Sequence, residues 1–485
     1  MSGGFRSRSR RSPRRDGRSE AQDRRSPAQR TQAVRAEKRG RALGVDKARA
    51  VAYEVIRAVH AEDAYGNIAL SSLLRDRRMH GRDAAFATEI TYGTLRTEGT
   101  LDRIIEHCSS RPLRDIDPLV LDALRLGAYQ LLYTKVDAHA AVDTSVTIVG
   151  SMASQRVRGF ANAILREISR HPREWWLDTL CPAGEIDALA FRYHHPRWIA
   201  DSFSRVLGLG DLEAALEADS QRPTVHLAAR PGEITAEELA LSCGGEVGRY
   251  SPYAVYLPGG APGDIPAVKE GMAAVQDEGS QLIARALVEA PLEGDDGGRW
   301  LDLCAGPGGK AALMGALARI EQAHVDAVEV SEHRSTLIRH AVTGLPVTVH
   351  TMDGRHPDLP GGYDRVLVDA PCSGLGSLRR RPEARWRKKE SDIAELTALQ
   401  WELLSSALRL VRPGGVVVYS TCSPDLRETR DIVDRAVAET GATELNAQEL
   451  LPVAMPGVGD HLSVTLWPHR HGTDAMFFAA LRRTD

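Results

Sequence analysis

The sequence is poor in the features that mark disulfide-rich, zinc-binding and membrane proteins. Its 485 residues include six cysteines, and none of them form a Cys-x-x-Cys pair, which excludes a disulfide framework and the common zinc motifs. No apolar run is long enough to cross a bilayer, and no secretory signal opens the chain. These absences predict a protein of the reducing cytoplasm with no membrane anchor and no bound metal.

Charge is distributed unevenly along the chain. Residues 1–43 contain 14 lysines and arginines against four acidic residues, a net charge of +10, whereas the whole chain carries −3. The remaining residues are therefore acidic, with a net charge of −13. The first 43 residues have almost no large apolar side chains, which predicts a disordered basic arm. A basic arm favours a polyanionic partner, because cations near phosphates release counterions; the alternative is a solubilising tail without a specific role.

The periodicity of apolar residues divides the rest of the chain into three units. Residues 44–172 show helical spacing and no strand-like alternation, which predicts an all-α bundle. Residues 173–270 mix short strands with helices, which predicts a small α+β domain. This segment ends in a Pro/Gly-rich stretch typical of a loop or hinge. Residues 271–485 alternate strands and helices, which predicts a doubly wound α/β sheet with ligand sites at the carboxyl ends of its strands.

The element boundaries can be predicted from the same pattern. Predicted helices of the first unit include separate ones at 82–95 and 99–108, and the second unit has helices at 196–207 and 211–218. The strands expected in the last unit are 299–304, 325–330, 346–350, 364–369, 415–420, 462–466 and 476–481.

A Gly-rich turn follows the first strand of the last unit, in Trp-Leu-Asp-Leu-Cys-Ala-Gly-Pro-Gly-Gly-Lys, residues 300–310. It matches neither the spaced GxGxxG of dinucleotide enzymes nor a Walker loop. Glu329 ends the second strand about 20 residues later, where an acidic residue can accept both hydroxyls of a ribose. Asp353, just past the third strand, is a candidate contact for a cofactor base or the start of an Asx turn. The loop and Glu329 together predict a nucleoside-containing cofactor.

Two cysteines follow two neighbouring strands of the predicted sheet. One strand leads into Asp369-Ala-Pro-Cys372 and the other into Tyr419-Ser-Thr-Cys422, and both loops should open onto the crevice of the Gly-rich turn. Two thiols beside a nucleoside cofactor suit methylation of carbon 5 of a cytosine. A thiolate adding to carbon 6 makes carbon 5 nucleophilic, and a second thiol and a carboxylate serve the proton transfers.

The other four cysteines are interpreted as small buried hydrophobic residues. They are Cys108, Cys181, Cys243 and Cys304.

A basic segment follows the first cysteine loop. Residues 378–389 contain seven basic residues, one acidic residue and a tryptophan. Phosphate contacts with an aromatic stacking surface are typical of proteins that hold nucleic acid open for access to a base. The predicted RNA contacts are Arg379, Arg380, Arg381, Arg385, Trp386 and Arg387.

These motifs resemble the bacterial rRNA cytosine-5 methyltransferases of the RsmB (Sun/Fmu) type. The segments DLCAGPGGK, AVEVSEHR, DAPCSGLG, RRRPEARWRK and YSTCS stand in the order and at the intervals of that family. Residues 44–172 look like the NusB-type helical RNA-binding domain at the N-terminus of the family. The resemblance covers 44–485 and implies a Rossmann-like methyltransferase domain, S-adenosyl-L-methionine as methyl donor, and 16S rRNA as substrate.

The resemblance also implies roles for individual residues. Cys422 corresponds to the nucleophile, Cys372 to the residue that assists product release, and Asp369 to a carboxylate between the donor and the target base. The implied donor-site residues are Cys304, Ala305, Gly306, Pro307, Gly308, Gly309, Lys310, Glu329, Asp353 and Asp369.

The sequence departs from the family pattern at three places. Glu329 replaces the usual Asp, His226-Leu-Ala-Ala229 replaces an LRVN-like strand, and Glu428 is followed by Thr429 where the family often has Asn. The longer Glu329 side chain can still reach a ribose. The other two changes weaken the roles that the resemblance gives to those segments.

Other functions remain open at this point. A tRNA substrate would keep the chemistry, whereas an RNA-binding or antitermination-like factor would need neither thiol. A DNA methyltransferase is disfavoured, because no distinct target-recognition insert follows the catalytic loops. A monomer is expected.

Overall fold

The computed structural model describes residues 43–485. The predicted basic arm, residues 1–43, lies outside the described residues except for Leu43, which is buried. Within the described part of the chain, no helix has the length and apolarity that a membrane span requires.

The N-terminal unit is a helical bundle around one apolar core, as predicted. The short helix Arg173–Thr179 adds Trp176 to this core, so the bundle extends past residue 172. The helices are Lys47–Glu62, Gly66–Asp76, Gly81–Cys108, Pro118–Tyr133, Ala138–Gly150, Gln155–Ile168 and Arg173–Thr179.

The two helices predicted at 82–95 and 99–108 are one helix, Gly81–Cys108. Gly99 lies in its interior, where a β-carbon would come within 2.4 Å of the Trp386 ring. The glycine is therefore a site of close approach between two segments and does not end the helix.

The second unit consists of two parts with different packing partners. The helices Glu185–Arg192 and Arg197–Ser220 share an apolar core with Trp467 of the last unit. The segment Arg197–Ser220 contains the two predicted helices, because the backbone at Gly208 is not helical and a kink separates them there. The other part is an antiparallel sheet in the order β2-β3-β1-β4. Its strands are β1 (Val225–Ala229), β2 (Glu246–Val247), β3 (Ala254–Leu257) and β4 (Ala273–Val275), with helices Ala236–Cys243 and Pro266–Lys269. Because β4 pairs with β1, this sheet continues past the predicted boundary at 270.

The last unit is the predicted doubly wound sheet, with an antiparallel addition at one edge. All seven predicted strands form, and an eighth, β10, joins them. The strands are β5 (Arg299–Asp302), β6 (His324–Glu329), β7 (Val347–Thr351), β8 (Tyr363–Asp369), β9 (Val411–Thr421), β10 (Thr443–Leu445), β11 (Val464–Thr465) and β12 (Phe477–Arg482). The helices are Glu278–Glu289, Gly309–Ile320, Glu332–Ala341, Ala384–Arg387, Asp392–Leu410, Arg430–Thr440 and Pro468–His471.

The order of the strands places the predicted motifs together. The sheet runs β10-β12-β9-β8-β5-β6-β7, with β9, β8, β5, β6 and β7 parallel. The chain passes from β5 outward to β7 and then returns to β8, so the strand order reverses between β5 and β8. Ligands of such sheets bind where the order reverses, at the carboxyl ends of the strands.

Candidate active site

The two predicted cysteines meet at the ends of β8 and β9. The Sγ atoms of Cys372 and Cys422 are 3.3 Å apart, a hydrogen-bond distance between thiols, and both residues are free cysteines. The Gly376 amide donates to the Cys422 carbonyl at 2.9 Å, which ties the two loops together. The pairing of parallel strands therefore converts a separation of 50 residues in sequence into a direct contact.

The two thiols differ in acidity. The hydrogen bond from Cys372 lowers the pKa of Cys422, and Lys310 and Arg381 lower it further against the opposing effects of burial and Asp369. The same hydrogen bond and burial raise the pKa of Cys372 well above its usual value. This difference favours the thiolate form at Cys422 and the neutral thiol at Cys372. The thiolate is the nucleophilic form of cysteine.

Lys310 and Asp369 form an ion pair beside the cysteines. Lys310 lies in the first turn of the helix Gly309–Ile320, and its Nζ donates to Asp369 Oδ2 at 2.8 Å. The Ser420 hydroxyl donates to the other oxygen of this carboxylate at 3.0 Å. Burial lowers the pKa of Lys310, but Asp369 outweighs burial and raises it. Lys310 is thus held as a cation that faces Cys422.

Glu428 is a functional candidate that the sequence argument underrated. Its carboxylate accepts from the Ser373 amide at 2.8 Å, from the Ser373 hydroxyl, and from Gln400 Nε2 at 3.0 Å. Glu428 is fully buried and fixes the residue that follows Cys372. The family often has an asparagine after this glutamate, whereas this chain has Thr429. These hydrogen bonds of Glu428 do not involve residue 429.

The Gly-rich turn passes directly over Glu329 and Arg334. A β-carbon on Gly306 would lie 2.1 Å from Glu329 Oε2, so only glycine fits. Glu329 is buried at the end of β6, where it accepts from the Ser331 amide at 2.9 Å and lies 3.4 Å from Arg334 Nε. The structure therefore places the predicted ribose-binding carboxylate against the predicted loop.

Asp302, at the end of β5, was not among the predicted residues. It is buried, one carboxylate oxygen accepts from the Cys304 amide, and Oδ2 has no hydrogen-bond partner in the described chain. Burial, with Asp369 nearby, raises its pKa to about 7. An unpartnered buried oxygen beside a Gly-rich loop fits the polar groups of a nucleoside cofactor. Asp302 is the fourth and last residue of β5, directly before the loop, where the sequence alone does not distinguish it from an ordinary strand end.

Asp353 lies past β7 and forms the Asx turn that the sequence left open. Its Oδ1 accepts from the Arg355 amide and from Arg355 Nε, each at 3.0 Å. Contact between Asp353 and the base of a cofactor stays a prediction.

The basic segment 378–389 is not the open RNA surface that its composition predicted. Arg379 is buried and paired with Asp474 at 2.8 Å, and Arg380 bridges Asp474 and Asp277. Arg385 is completely buried and donates to the Asp219 carboxylate at 3.0 Å. Such buried guanidinium groups require carboxylate partners within the protein, which the composition of the segment does not show.

The end of the same segment contacts the helical bundle. Trp386 Nε1 donates to the Leu95 carbonyl at 2.9 Å and its ring covers Gly99, so the predicted stacking surface is wrong. Arg387 donates to the carbonyl groups of Val59 and Ala64. Of the six predicted RNA contacts, Arg381 alone is exposed. We call residues 378–389 the interdomain segment.

Two smaller expectations are also resolved by the structure. His226 of β1 is buried and lies 3.3 Å from Asp277, so it faces the protein interior. Cys181 is exposed, because it follows the last helix of the bundle and no neighbouring element covers it; its interpretation as buried is wrong.

Known protein families and proteins are similar to this chain. The family model for the 16S rRNA methyltransferase RsmB/F matches residues 288–482, and the model for the NusB family matches residues 46–170. The chain is 34% identical over 403 residues to ribosomal RNA small subunit methyltransferase B of Salmonella paratyphi B, covering 79% of this chain and 90% of that protein. It is 55% identical over 444 residues to a Mycobacterium tuberculosis protein described only as a methyltransferase, covering 90% and 97%.

Solved structures share the fold. The crystal structure of PH0851 has a TM-score of 0.75 at 25% identity and covers 90% of this chain and 98% of that chain. NSun6 from Pyrococcus horikoshii, solved with SFG, has a TM-score of 0.52 at 18% identity and covers 60% and 98%. With its NusB domain, its methyltransferase sheet and relatives above 30% identity over most of its length, the chain belongs to the S-adenosylmethionine-dependent RNA methyltransferases of the RsmB/F family.

Proposed function

We propose that this protein methylates carbon 5 of a cytosine in 16S rRNA through a covalent bond between Cys422 and carbon 6 of the base. The observation that carries the proposal is the 3.3 Å contact between Cys372 and Cys422 beside the Lys310–Asp369 pair. Methylation of an exocyclic amino group requires no thiol. Two thiols of unequal acidity in one crevice match a reaction that adds a sulfur nucleophile and later expels it.

The cofactor site supports the same reaction. Glu329 would hold the ribose of S-adenosylmethionine, the loop 304–309 would lie along the cofactor, and the free oxygen of Asp302 offers a further acceptor. When bound, S-adenosylmethionine supplies an electrophilic methyl group.

The residues of this chain perform the remaining steps. The Cys422 thiolate forms the Sγ–C6 bond, and the electron pair of the C5=C6 bond becomes available at carbon 5. Asp369, held by Lys310 and Ser420, accepts the hydrogen bond from the N–H that forms at ring nitrogen 3 when that nitrogen is protonated. After methylation, carbon 5 loses its proton to a base of the site, and the electrons of that C–H bond restore the double bond. The Sγ–C6 bond breaks in the same step, so carbon 6 keeps four bonds, and Cys422 leaves with the electron pair of that bond as the thiolate, with Cys372 assisting this release.

Two cysteine variants test the mechanism. Cys422→Ala should abolish both methyl transfer and covalent RNA adduct, because the attacking thiolate is gone. Cys372→Ala should form the adduct and retain it, visible as a protein–RNA band that resists denaturation. Methylation by Cys422→Ala at the wild-type rate, or free turnover of Cys372→Ala without adduct, would contradict these assignments.

Bisulfite sequencing of total RNA from cells with and without the gene tests the substrate. A cytosine of 16S rRNA that is protected only when the gene is present supports the proposal. If protection is lost in tRNA when the gene is absent, the substrate is tRNA and the 16S rRNA assignment is wrong. If no RNA changes, an RNA-binding protein without this activity is favoured.

The proposal includes a cytoplasmic monomer. One chain contributes both cysteines and both carboxylates, Asp369 and Glu329, so the site needs no second subunit to complete it. Light scattering of the purified protein measures its mass in solution; a dimer would contradict this part.

A further inference from the structure

A cleft lies between the helical bundle and the helix that follows it, away from the two cysteines. Its volume is about 310 Å³, and Arg96, Tyr133, Arg173 and Arg222 are among the residues that line it. Arg96 and Tyr133 belong to the bundle, whereas Arg222 follows the helix Arg197–Ser220. The cleft is therefore open to a ligand that contacts both units.

Arg96 is the most unusual residue of this cleft. Its guanidinium forms neither a hydrogen bond nor an ion pair within residues 43–485, and its Nε is enclosed without a partner. The interdomain segment contains the contrasting case, Arg385, whose buried charge is paired with Asp219. Glu89 and Asp219 attract this charge, but neither bonds to it. A mostly enclosed cation without a directly paired counter-ion is costly, which indicates that an anion completes the site.

The other groups of the cleft are also suited to an anion. The Tyr133 hydroxyl is enclosed and has no hydrogen-bond partner in the described chain, and the Arg173 guanidinium lies over its ring at 5.4 Å. Arg222 is exposed and has no ion pair in the described part of the chain. Arg173 pairs with Glu174 at 2.8 Å. The cleft thus holds two guanidinium groups without an ion pair in the described chain, Arg96 and Arg222, and one free hydroxyl donor.

Negative groups also line the cleft and oppose part of this charge. Glu89 and Glu217 are the lining carboxylates, and Glu89 accepts from the Tyr129 hydroxyl at 2.6 Å. His194 also lines the cleft, but burial keeps its pKa well below the usual value, so it is neutral. A singly charged phosphodiester matches two unpaired guanidinium groups beside two carboxylates better than a multiply charged anion, which the carboxylates would repel more strongly.

We propose that this cleft binds a backbone phosphate of the substrate RNA, with Arg96 and Arg222 as its principal contacts. The inference rests on the proposed function for the identity of the RNA, and it assigns a binding site outside the catalytic crevice. An RNA held here would be anchored on the bundle while its target cytosine lies in the crevice. RNA would then contact this cleft and not the basic segment 378–389, where the sequence predicted the contacts.

Binding of the full chain to naked 16S rRNA, measured by filter binding between 50 and 200 mM KCl, tests the proposal. Arg96→Gln and Arg222→Gln should each raise Kd about three- to tenfold. Each should also reduce the slope of log K against log salt by about 0.7 to 0.9, the contribution of one phosphate. Because Arg222 is exposed, its replacement tests the cleft without disturbing packing.

Arg82→Gln is the matched control. Arg82 lies on the same helix as Arg96, is exposed, and does not line the cleft, so this variant removes the same charge without affecting the site. The proposal is overturned if Arg96→Gln and Arg222→Gln change Kd and slope no more than Arg82→Gln does.

Two further measurements identify the source of the phosphate and isolate the proposal. The first compares thermal stability in inorganic phosphate and in chloride at equal ionic strength. If phosphate stabilises the wild type but not Arg96→Gln, and Arg96→Gln binds RNA as tightly as the wild type, the cleft binds free phosphate and the RNA assignment is overturned. The same preparations are assayed for 5-methylcytosine at saturating RNA. A salt effect at Arg96 without any 5-methylcytosine would refute the proposed function and leave the phosphate site standing.

Discussion

The two cysteines of the crevice have the same chemical group but different environments. Lys310 faces Cys422 and lowers the pKa of its thiol. Lys310→Met should therefore raise that pKa, because a nearby cation favours the thiolate. The measurement is the pH dependence of Cys422 alkylation by iodoacetamide, followed by mass spectrometry. Lys389→Met, an exposed lysine of the interdomain segment, is the control, and an unchanged midpoint in Lys310→Met would contradict the assignment.

Glu428 positions the loop that carries Cys372 without reaching the substrate itself. Glu428→Gln keeps the size of the side chain but replaces one acceptor oxygen with a donor, so one of its bonds to Ser373 is lost. We expect kcat to fall between about ten- and a hundredfold, because small displacements of catalytic groups have effects of that size. The KM for S-adenosylmethionine should stay unchanged.

Steady-state kinetics of Glu428→Gln and of a surface control measure this effect. Glu390→Gln is the control, since Glu390 is exposed and pairs with Arg427. Equal kcat values for the two variants would remove Glu428 from the positioning of Cys372.

At the scale of the element, the interdomain segment connects the Cys372 loop to the helical bundle. Arg385→Met would leave the Asp219 carboxylate buried with one partner fewer. Breaking a buried ion pair in this way costs about 3–5 kcal/mol, and urea unfolding measures it. Arg381→Met, at the exposed position of the same segment, should change stability by less than about 0.5 kcal/mol. A similar small loss in Arg385→Met would show that the pair does not stabilise the fold.

Elements could be predicted from the sequence where the information is local. The strands β8 and β9 were predicted within a few residues because buried parallel strands are short apolar runs. The interdomain segment could not be predicted, because its arginines look the same whether phosphate or a distant carboxylate such as Asp219 pairs with them. The role of Gly99 could not be predicted for the same reason, because Trp386, whose ring lies where a β-carbon on residue 99 would be, is 287 residues away in sequence.

On the scale of the whole molecule, stability should depend on pH through His60 of the bundle. Burial opposes its charge, but hydrogen bonds with Asp122 and Glu98 outweigh burial and raise its pKa to about 9. The folded state thus holds the proton more tightly than the unfolded state, whose histidine has a pKa of about 6.5. The stabilisation is complete below pH 6.5, up to about 3 kcal/mol, and it is lost as pH rises towards 9.

Denaturation of His60→Gln tests this dependence. The variant should be less stable than the wild type at pH 6, and the two should converge near pH 9.5. His139→Gln, at an exposed histidine of the same bundle, should match the wild type at both values. A difference for His60→Gln that persists at pH 9.5 would mean that packing, and not the proton, is lost.

More of the candidate site than of the contacts between the units could be predicted from the sequence. The positions of Cys372, Cys422, Lys310 and Glu329 follow from where strands end in a parallel sheet. Asp302 was missed because one acidic residue in a strand is indistinguishable from an ordinary strand end until its burial is known. The cleft of Arg96 was missed because its residues come from separate segments that only the folded arrangement brings together.

The interdomain segment also limits how this protein can be divided. It leaves the Cys372 loop and ends on the carbonyl groups of Val59 and Ala64. A methyltransferase fragment cut free of the bundle would expose the Trp386 indole and lose the partners of Arg387. A different bundle could therefore replace this one only if it provided the same contact surface for that indole. Substitutions in one unit at this contact are therefore constrained by the residues of the other unit.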